Sequence, residues 1–344
     1  MANRSTIRSK AKRFEKLRTV FEFAHWLGRE EAKLQLLSFK PRYKEYQIPK
    51  PGGGWRQIED PEPKLKSVLQ KLNEHLQACY YSVRPASAYG FVISASEDED
   101  RNIVTNAKKH LGCKHLLNID LKDFFHQIRE DKVVAIFSRH FPQFEDALID
   151  LLARLVCYKA RLPMGAPTSP VLSNYAAIPL DEQLMAYCSQ SGISYTRYAD
   201  DLSFSSKQAI SRIDYEHFLH CVQTCGFEVN PKKIRWAKEN NPKEITGLFL
   251  KMGEVCLEEN YLRQLETEIG RYITYYEVEA RYRTGASMKK LKLFEQELRG
   301  KLSFAQLVEP DNERIDYLRD QMDQAKEALE DFESVHWLDL PYGF

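Results

Sequence analysis

The sequence has no long apolar run. Across its 344 residues, nothing approaches the roughly 18 apolar residues that a membrane-spanning helix needs. Its seven cysteines form no CxxC pair, so no paired metal ligands are apparent and reduced thiols in a cytoplasmic protein are predicted. The basic N-terminal residues are not followed by an apolar segment, and no secretory signal is expected. Linkers rich in Pro and Ser, repeats and low-complexity tracts are also missing. Two or three subdomains around a sizeable core are therefore expected.

A strong net charge is missing too, because 50 basic side chains balance 49 acidic ones. The total charge therefore does not identify a nucleic-acid-binding protein. The distribution is uneven: basic residues concentrate in Arg4–Arg18, Lys232–Lys243 and Arg281–Lys301, and acidic residues in Glu309–Glu333. Basic surfaces could thus contact phosphate on a nearly neutral protein, although solvated helix faces would give the same pattern.

The apolar periodicity predicts a mixed α+β architecture, with strands concentrated before residue 260 and helices after it. Residues 8–38 have a helical period, and 43–48 and 55–58 are predicted strands joined by a glycine turn. A short apolar strand over 115–121 contains an acid near its end. A hairpin is predicted over 195–204, with its turn at Ala199 and Asp200.

Adjacent acids in the segment Tyr198–Asp201 (YADD) are the strongest chemical signal. Two neighbouring carboxylates between apolar strands repel one another and favour a cation beside them. Asp120 ends another apolar strand, and three such carboxylates on adjacent strands would hold two Mg²⁺ ions for nucleotidyl transfer. The spacing does not prove that the strands are adjacent, and an Asp-Asp turn in solvent is the alternative.

These segments, taken in order, resemble the palm of reverse transcriptases over roughly residues 40–250. The resemblance rests on five blocks: Ile48–Lys50 with Gly54–Ile58, Asp120 with Phe124–Phe125, Leu162–Pro170, Tyr198–Asp201, and Gly226–Asn230 followed by Lys233. Three further blocks resemble the bacterial retron type. They are Asn106–His110 (NAKKH, an NAxxH signature), Glu244–Leu248 with Ile245 where valine is usual, and Arg299–Phe304 in the expected thumb.

The resemblance implies a right-hand polymerase fold of the α+β class, with fingers, a palm of antiparallel sheet plus helices, and a helical thumb. A basic helical extension is expected over 1–39, fingers with part of the palm over 40–115, the palm with inserted fingers helices over 116–258, and the thumb with a C-terminal helix over 259–344.

The resemblance also implies roles for matching residues. Asp120, Asp200 and Asp201 would be the catalytic acids that bind two Mg²⁺ ions, which Mn²⁺ could replace in vitro. Phe125 would exclude a ribose 2′-hydroxyl, unless it is an ordinary core residue. Met164 stands where many relatives have glutamine, so its contact with the nucleotide is expected to be steric or through the backbone. Contacts to the incoming dNTP are expected from Lys50, Arg56 and Lys233, the last of which could equally be a solvated lysine.

RNA recognition is expected from the retron signature and the thumb. Asn106 and His110 could contact RNA or shape the fold around it. Thumb tyrosines could stack on unpaired bases or could simply pack in a helical core. The tyrosines are Tyr272, Tyr275, Tyr276 and Tyr282. The basic candidates are Arg271, Arg281, Arg283, Lys289, Lys290 and Arg299.

The function implied is RNA-directed DNA synthesis on a cognate structured non-coding RNA. The 2′-hydroxyl of an internal guanosine would prime a branched multicopy single-stranded DNA (msDNA), in anti-phage defence with a separate effector protein and without a membrane. One alternative is another bacterial defence reverse transcriptase, of the abortive-infection type and possibly template-independent, which should lack the 106–110 block. The other is a non-catalytic RNA-binding scaffold, which the presence of all three acids disfavours.

Overall fold

The computed structural model describes residues 2–50, 53–282 and 285–334, and their side chains except over 277–288 and 327–334. The chain divides into two compact units between Asn241 and Pro242. Within the described ranges, no helix combines the length and the apolar character needed to cross a membrane.

Short helices begin the first unit: α1 (Arg4–Glu15), α2 (Val20–Leu27) and α3 (Glu31–Phe39). The helical pattern predicted over 8–38 is thus broken twice. Thr19 and Glu22 form a capping box that begins α2, and Gly28 ends it in the left-handed region at φ 68°.

The strand pair predicted before residue 61 is confirmed as an antiparallel hairpin of β1 (Tyr43–Pro49) and β2 (Trp55–Pro61). The next helix, α4 (Pro63–Val83), begins with a proline, whose missing N–H is no loss in a first turn. It packs against α1. After a loop, Asn102 caps the short helix α5 (Ile103–Lys108).

A four-stranded antiparallel sheet in the order β4-β5-β3-β6 carries the candidate acids. Its strands are β3 (His115–Asp120), β4 (Ser194–Tyr198), β5 (Asp201–Ser206) and β6 (Arg235–Ala237). The helices of this part of the chain are α6 (Glu130–His140), α7 (Asp146–Val156), α8 (Ser169–Ser191) and α9 (Arg212–Thr224). Because α8 packs against β4, α4, α6 and α9, it is buried on most sides.

The second unit contains a three-stranded meander of β7 (Lys243–Ile245), β8 (Leu248–Lys251) and β9 (Glu254–Cys256). The helices α10 (Glu259–Tyr282), α11 (Gly285–Val308) and α12 (Glu313–Ser334) follow and pack on one another. The Leu257 N–H donates to Glu309 Oε1 at 2.7 Å, which ties the end of the meander to these helices. This division groups the meander with the helices, although residues up to 258 are predicted to belong to the palm.

Candidate active site

The candidate acids meet at one end of the four-stranded sheet. β3 and β5 are antiparallel neighbours, and their register places Asp120 opposite Asp201. Side chains opposed in this way lie about 5 Å apart. Asp200 lies in the turn between β4 and β5, and its carbonyl accepts a hydrogen bond from the Leu121 N–H at 2.9 Å. Two segments that are distant in the chain are therefore joined where their acids lie.

A buried ion pair supports the turn that carries Asp200. Ala199 has a φ of 57°, a left-handed conformation that costs energy in a residue other than glycine. Arg197 Nη1 donates to the Ala199 carbonyl at 3.1 Å, and the same guanidinium makes two bonds to Asp181, at 2.9 and 2.7 Å. Both side chains of this pair are 0 % exposed. The Asp181 carboxylate also accepts from the Tyr195 hydroxyl at 2.8 Å, which holds the pair in one geometry.

The segment around Gly90 closes over the same turn. A Cβ atom on Gly90 would lie 2.5 Å from the Ala199 backbone nitrogen, closer than atoms can approach. Asn174 links the two parts, because its Nδ2 donates to the Gly90 carbonyl at 3.0 Å and its Oδ1 accepts from Arg197 at 2.9 Å. The Tyr89 N–H donates to the Arg197 carbonyl at 2.8 Å. Glycine is therefore required at position 90.

None of Asn174, Asp181, Arg197 and Gly90 was predicted from the sequence as a site residue. A usable signal exists for two of them. Arg197 is a charge within a strand beside the acids, and Asp181 is a charge within a largely apolar helix. Buried charges are almost always paired, so two such residues predict an ion pair, although not its location.

Mutual repulsion and burial perturb two of the acids. The pKa of Asp201 rises to about 7, first because burial disfavours its charged form and then because Asp200 and Asp120 repel it. Burial likewise raises the pKa of Asp200, with a further contribution from Asp120, while the positive charges of Lys233 and Arg56 oppose the rise. A nearby cation would therefore stabilise the charged forms of these carboxylates.

The donor set fits a divalent cation such as Mg²⁺. In this structure Lys233 Nζ is the cation that neutralises Asp120, at 2.6 Å from Oδ2. Within the residues that the structure describes, no three acidic, His or Cys side chains form a ready-made metal cluster. Mg²⁺ does not require one, since it usually binds through one or two carboxylates together with waters and substrate phosphates.

Comparisons with known proteins identify this arrangement. The family described as "Reverse transcriptase (RNA-dependent DNA polymerase)" matches residues 48–252, which include all three acids. The chain belongs to the reverse transcriptase family. The enzyme is 29 % identical to the retron Ec86 reverse transcriptase of Escherichia coli over 70 % of this chain and 73 % of that protein. It is also 29 % identical to the retron Ec83 reverse transcriptase of E. coli, over 80 % of this chain and 86 % of that protein.

A third relative is the retron Mx162 reverse transcriptase of Myxococcus xanthus, at 30 % identity over 71 % of this chain and 55 % of that protein. These relatives confirm the predicted resemblance to the bacterial retron type. The family confirms the right-hand polymerase fold class and RNA-directed DNA polymerase activity. The roles of individual residues stay predictions.

The β1–β2 hairpin of this reverse transcriptase, which is predicted to belong to the fingers, carries two of the predicted dNTP contacts. Lys50 and Arg56 flank the turn between β1 and β2, and the Lys50 N–H donates to the Gly54 carbonyl at 3.0 Å. Both side chains are exposed. Because the charge of Arg56 opposes the rise in the pKa of Asp200, its guanidinium lies within electrostatic reach of the site.

The base of the hairpin is tied to the segment that contains Met164. The Glu59 N–H donates to the Met164 carbonyl at 2.7 Å, and a Cβ on Gly165, whose φ is 131°, would lie 2.8 Å from the Glu59 carbonyl oxygen. The Glu59 carboxylate is 1 % exposed and makes two 2.8 Å bonds to Arg161, whose side chain is 22 % exposed. The Met164 carbonyl is thus bound by the β1–β2 hairpin, and steric contact of its side chain with the nucleotide stays a prediction.

Phe125 is half-buried and packs against the core. It lies in a 3₁₀ turn, Phe124–Gln127, that follows Asp123 at φ 42°. Its ring centroid lies 6.1 Å from that of Phe91, and the Phe91 side chain is 39 % exposed. Phe125 is one of the partly buried hydrophobic residues at the edge of the core, and its contact with the sugar stays a prediction.

Direct RNA contact by Asn106 and His110 is contradicted by their burial, since each is 1 % exposed. The His110 ring bridges two strands of the palm sheet: Nδ1 lies 2.7 Å from Ser205 Oγ and Nε2 lies 2.7 Å from Thr196 Oγ1. Burial lowers the pKa of His110 to about 4, so the ring is neutral at physiological pH. The signature residues therefore shape the fold beneath the palm.

The thumb candidates whose side chains the structure describes separate into three groups. Arg271, Lys289, Lys290 and Tyr275 are exposed, and Tyr275 reaches 58 %. Tyr272 is 0 % exposed and therefore cannot stack on RNA. It packs inside the helices instead, with its ring centroid 5.6 Å from that of Tyr276. Arg299 is held by Glu295 and Asp323 at 2.9 and 2.8 Å, so phosphate would have to compete with two carboxylates. The side chains of Arg281, Tyr282 and Arg283 lie outside the described residues.

Proposed function

We propose that this reverse transcriptase copies a cognate structured non-coding RNA that serves as both template and primer. The 2′-hydroxyl of an internal guanosine would accept the first nucleotide, giving a branched RNA–DNA product, the msDNA. The retron relatives and the NAxxH block support this assignment. We further propose a role in anti-phage defence with a separate effector protein, as the retron resemblance implies.

The observation that carries the proposed chemistry is the register that places Asp120 opposite Asp201, beside Asp200. In this proposal the three carboxylates hold two Mg²⁺ ions, which when bound would activate the attacking hydroxyl and stabilise charge on the triphosphate. The Arg197–Asp181 pair would hold the turn that carries Asp200 in one position while metal ions and nucleotide bind and leave. Such fixed placement matters because misplacement of a reacting group by about 1 Å can cost on the order of 10²-fold in rate.

Charges and rings of the chain would select and orient the incoming dNTP. Arg56 provides a planar fork for phosphate oxygens, and Lys50 provides a point charge at the other side of the same turn. When metal and nucleotide bind, the Lys233 ammonium would leave its ion pair with Asp120 and pair with a phosphate oxygen instead. Phe125 would leave no room for a 2′-hydroxyl, and the Met164 side chain would pack against the nucleotide without polar contact.

The test is to purify the protein from its native locus and sequence the nucleic acid that co-purifies. Samples are treated with ribonuclease, with debranching enzyme, with both or with neither. The expected result is a short DNA of fixed sequence that debranching enzyme releases from RNA. The Asp200→Asn, Asp201→Asn variant is the matched control and should yield the RNA without DNA.

Heterogeneous DNA without a 2′–5′ linkage would overturn the priming proposal and favour a template-independent defence polymerase. The polymerase activity itself would remain. A DNA of fixed sequence that carries no RNA after mild isolation would likewise contradict branching.

A further inference from the structure

One face of α1 lines an open basic groove of about 760 Å³. The lining side chains of α1 come from successive turns of the helix, so that they share one face. They are Arg4, Ser5, Arg8, Ser9, Lys12, Arg13 and Lys16, and Glu97 from the loop before α5 completes the lining. None of these residues belongs to the candidate active site, and the basic cluster Arg4–Arg18 was predicted only as a surface that could contact phosphate or be a solvated helix face.

Most of this positive charge is not neutralised by the protein. Within the described residues, Arg8, Lys12, Arg13 and Lys16 are exposed and form no ion pair, in contrast to Arg4, which binds Asp98 at 2.6 Å. Lys10, which does not line the groove, is also paired, with Glu74 at 3.2 Å. A helix whose unpaired cations all lie on one face presents a ready site for a polyanion.

The acid that lines the groove offsets only one of the five positive charges among the lining residues. The Glu97 carboxylate accepts from the Arg4 backbone N–H at 3.2 Å and from Ser96 Oγ at 3.2 Å, so it serves the start of α1. The hydroxyls of Ser5 and Ser9 are exposed between the cations. Arginine, lysine and serine are the side chains that proteins use to bind phosphate oxygens of nucleic acids.

The other face of α1 argues against a membrane surface as the partner. Ile7, Ala11 and Phe14 are each at most 4 % exposed and pack into the core against α4. A helix that binds a lipid surface needs a free apolar face to insert beside its basic one. The groove offers charge and hydroxyls but no free apolar face.

We propose that this α1 groove binds the phosphodiester backbone of RNA, as a second anchoring surface for the template RNA. Successive cations four residues apart, such as Arg8 and Lys12, advance by about 6 Å along the helix, which lets them engage neighbouring phosphates of one strand. The choice of RNA over DNA rests on the proposed function. Recognition through the backbone is independent of base sequence.

The test measures binding of the full-length protein to a labelled double-stranded RNA hairpin over a series of salt concentrations. The variant carries Arg8→Gln, Lys12→Gln and Lys16→Gln. The matched control removes three cations that are ion-paired in the structure, Lys10→Gln, Lys33→Gln and Arg212→Gln. The groove variant should bind RNA about tenfold or more weakly at low salt, and its slope of log affinity against log salt should fall by about 2 to 3.

An unchanged slope and affinity relative to the control would overturn the proposal. Weakened binding confined to a DNA hairpin of the same sequence, or to phosphatidylserine vesicles, would overturn the assignment to RNA. Unchanged thermal unfolding verifies that the variant is folded. Because the probe is a generic hairpin, this result does not depend on whether branched DNA is found, and the two proposals can fail separately.

Discussion

The palm turn and the fingers hairpin both rest on a carboxylate–arginine pair, but the two pairs differ in burial. Beneath the palm turn, Asp181 and Arg197 are both 0 % exposed. Beneath the hairpin, Glu59 is 1 % exposed whereas Arg161 is 22 % exposed and shares its partner with Lys159, at 3.8 Å. Because the Arg197–Asp181 pair is closed to solvent, it holds the turn that carries Asp200 in one position. The open pair has a second cation near Glu59, and under the proposed function it supports an element that would admit a nucleotide.

The largest effect is expected at the acids themselves. Replacing Asp200 and Asp201 together by Asn should abolish DNA synthesis and leave RNA binding largely intact, because the metal ligands are lost while the buried support remains. Primer extension and RNA affinity are measured in parallel. Asp146→Asn with Asp150→Asn, two exposed acids of α7, removes the same charge as a control. Residual synthesis in a clean double variant would contradict the metal-site assignment.

The two arginines should differ in their contribution to stability. Arg197→Met leaves Asp181 buried without its partner, which should cost about 3 to 5 kcal/mol in the free energy of unfolding. Arg161→Met should cost about 1 to 2 kcal/mol, because Lys159 still lies near Glu59 and the site is partly solvated. Denaturant unfolding measures both. Equal losses would remove the distinction between a closed and an open support.

Two glycines allow the same comparison in catalysis. Gly90→Ala should lower kcat by about 10²-fold, because its Cβ displaces the turn that carries Asp200. Gly165→Ala should chiefly raise the KM for dNTP, because its Cβ presses on the Glu59 carbonyl at the base of the hairpin. Gly270→Ala in α10, where a Cβ meets nothing within 4 Å, is the control. Identical kinetic defects in the first two variants would show that palm and fingers move together.

The smallest effect concerns protonation under the palm sheet. The folded-state pKa of His110 is about 4, below the ordinary 6.5, so the unfolded chain binds more protons between these values. This contribution to stability is present above pH 6.5 and is lost as the pH falls toward 4, by about 2 kcal/mol between pH 6.5 and pH 5. His110→Gln should flatten that part of the stability profile.

The sequence predicted most of the elements because their signals are local. The β1–β2 hairpin was identified from strand residues around a glycine turn, and the palm hairpin from apolar runs around Ala199 and Asp200. Residues 8–38 were less well predicted, since the capping box at Thr19 and the end at Gly28 divide a pattern that looks continuous. Asn106 and His110 were recognised as a signature, but the sequence left open whether they contact RNA or shape the fold, because a motif does not state which way its side chains face.

By itself, the sequence identified the family through the resemblance of its ordered blocks, and it named the three acids predicted to carry the chemistry, since motifs of this kind are local in the chain. Tertiary structure alone decided that Asp120 lies opposite Asp201, that Gly90 touches Ala199, and that Arg197 finds Asp181 inside the core. It also decided which cations of α1 remain unpaired. The physical reason is common to all four: register, close approach and charge pairing join residues that are distant in the chain, and local patterns carry no information on such distances.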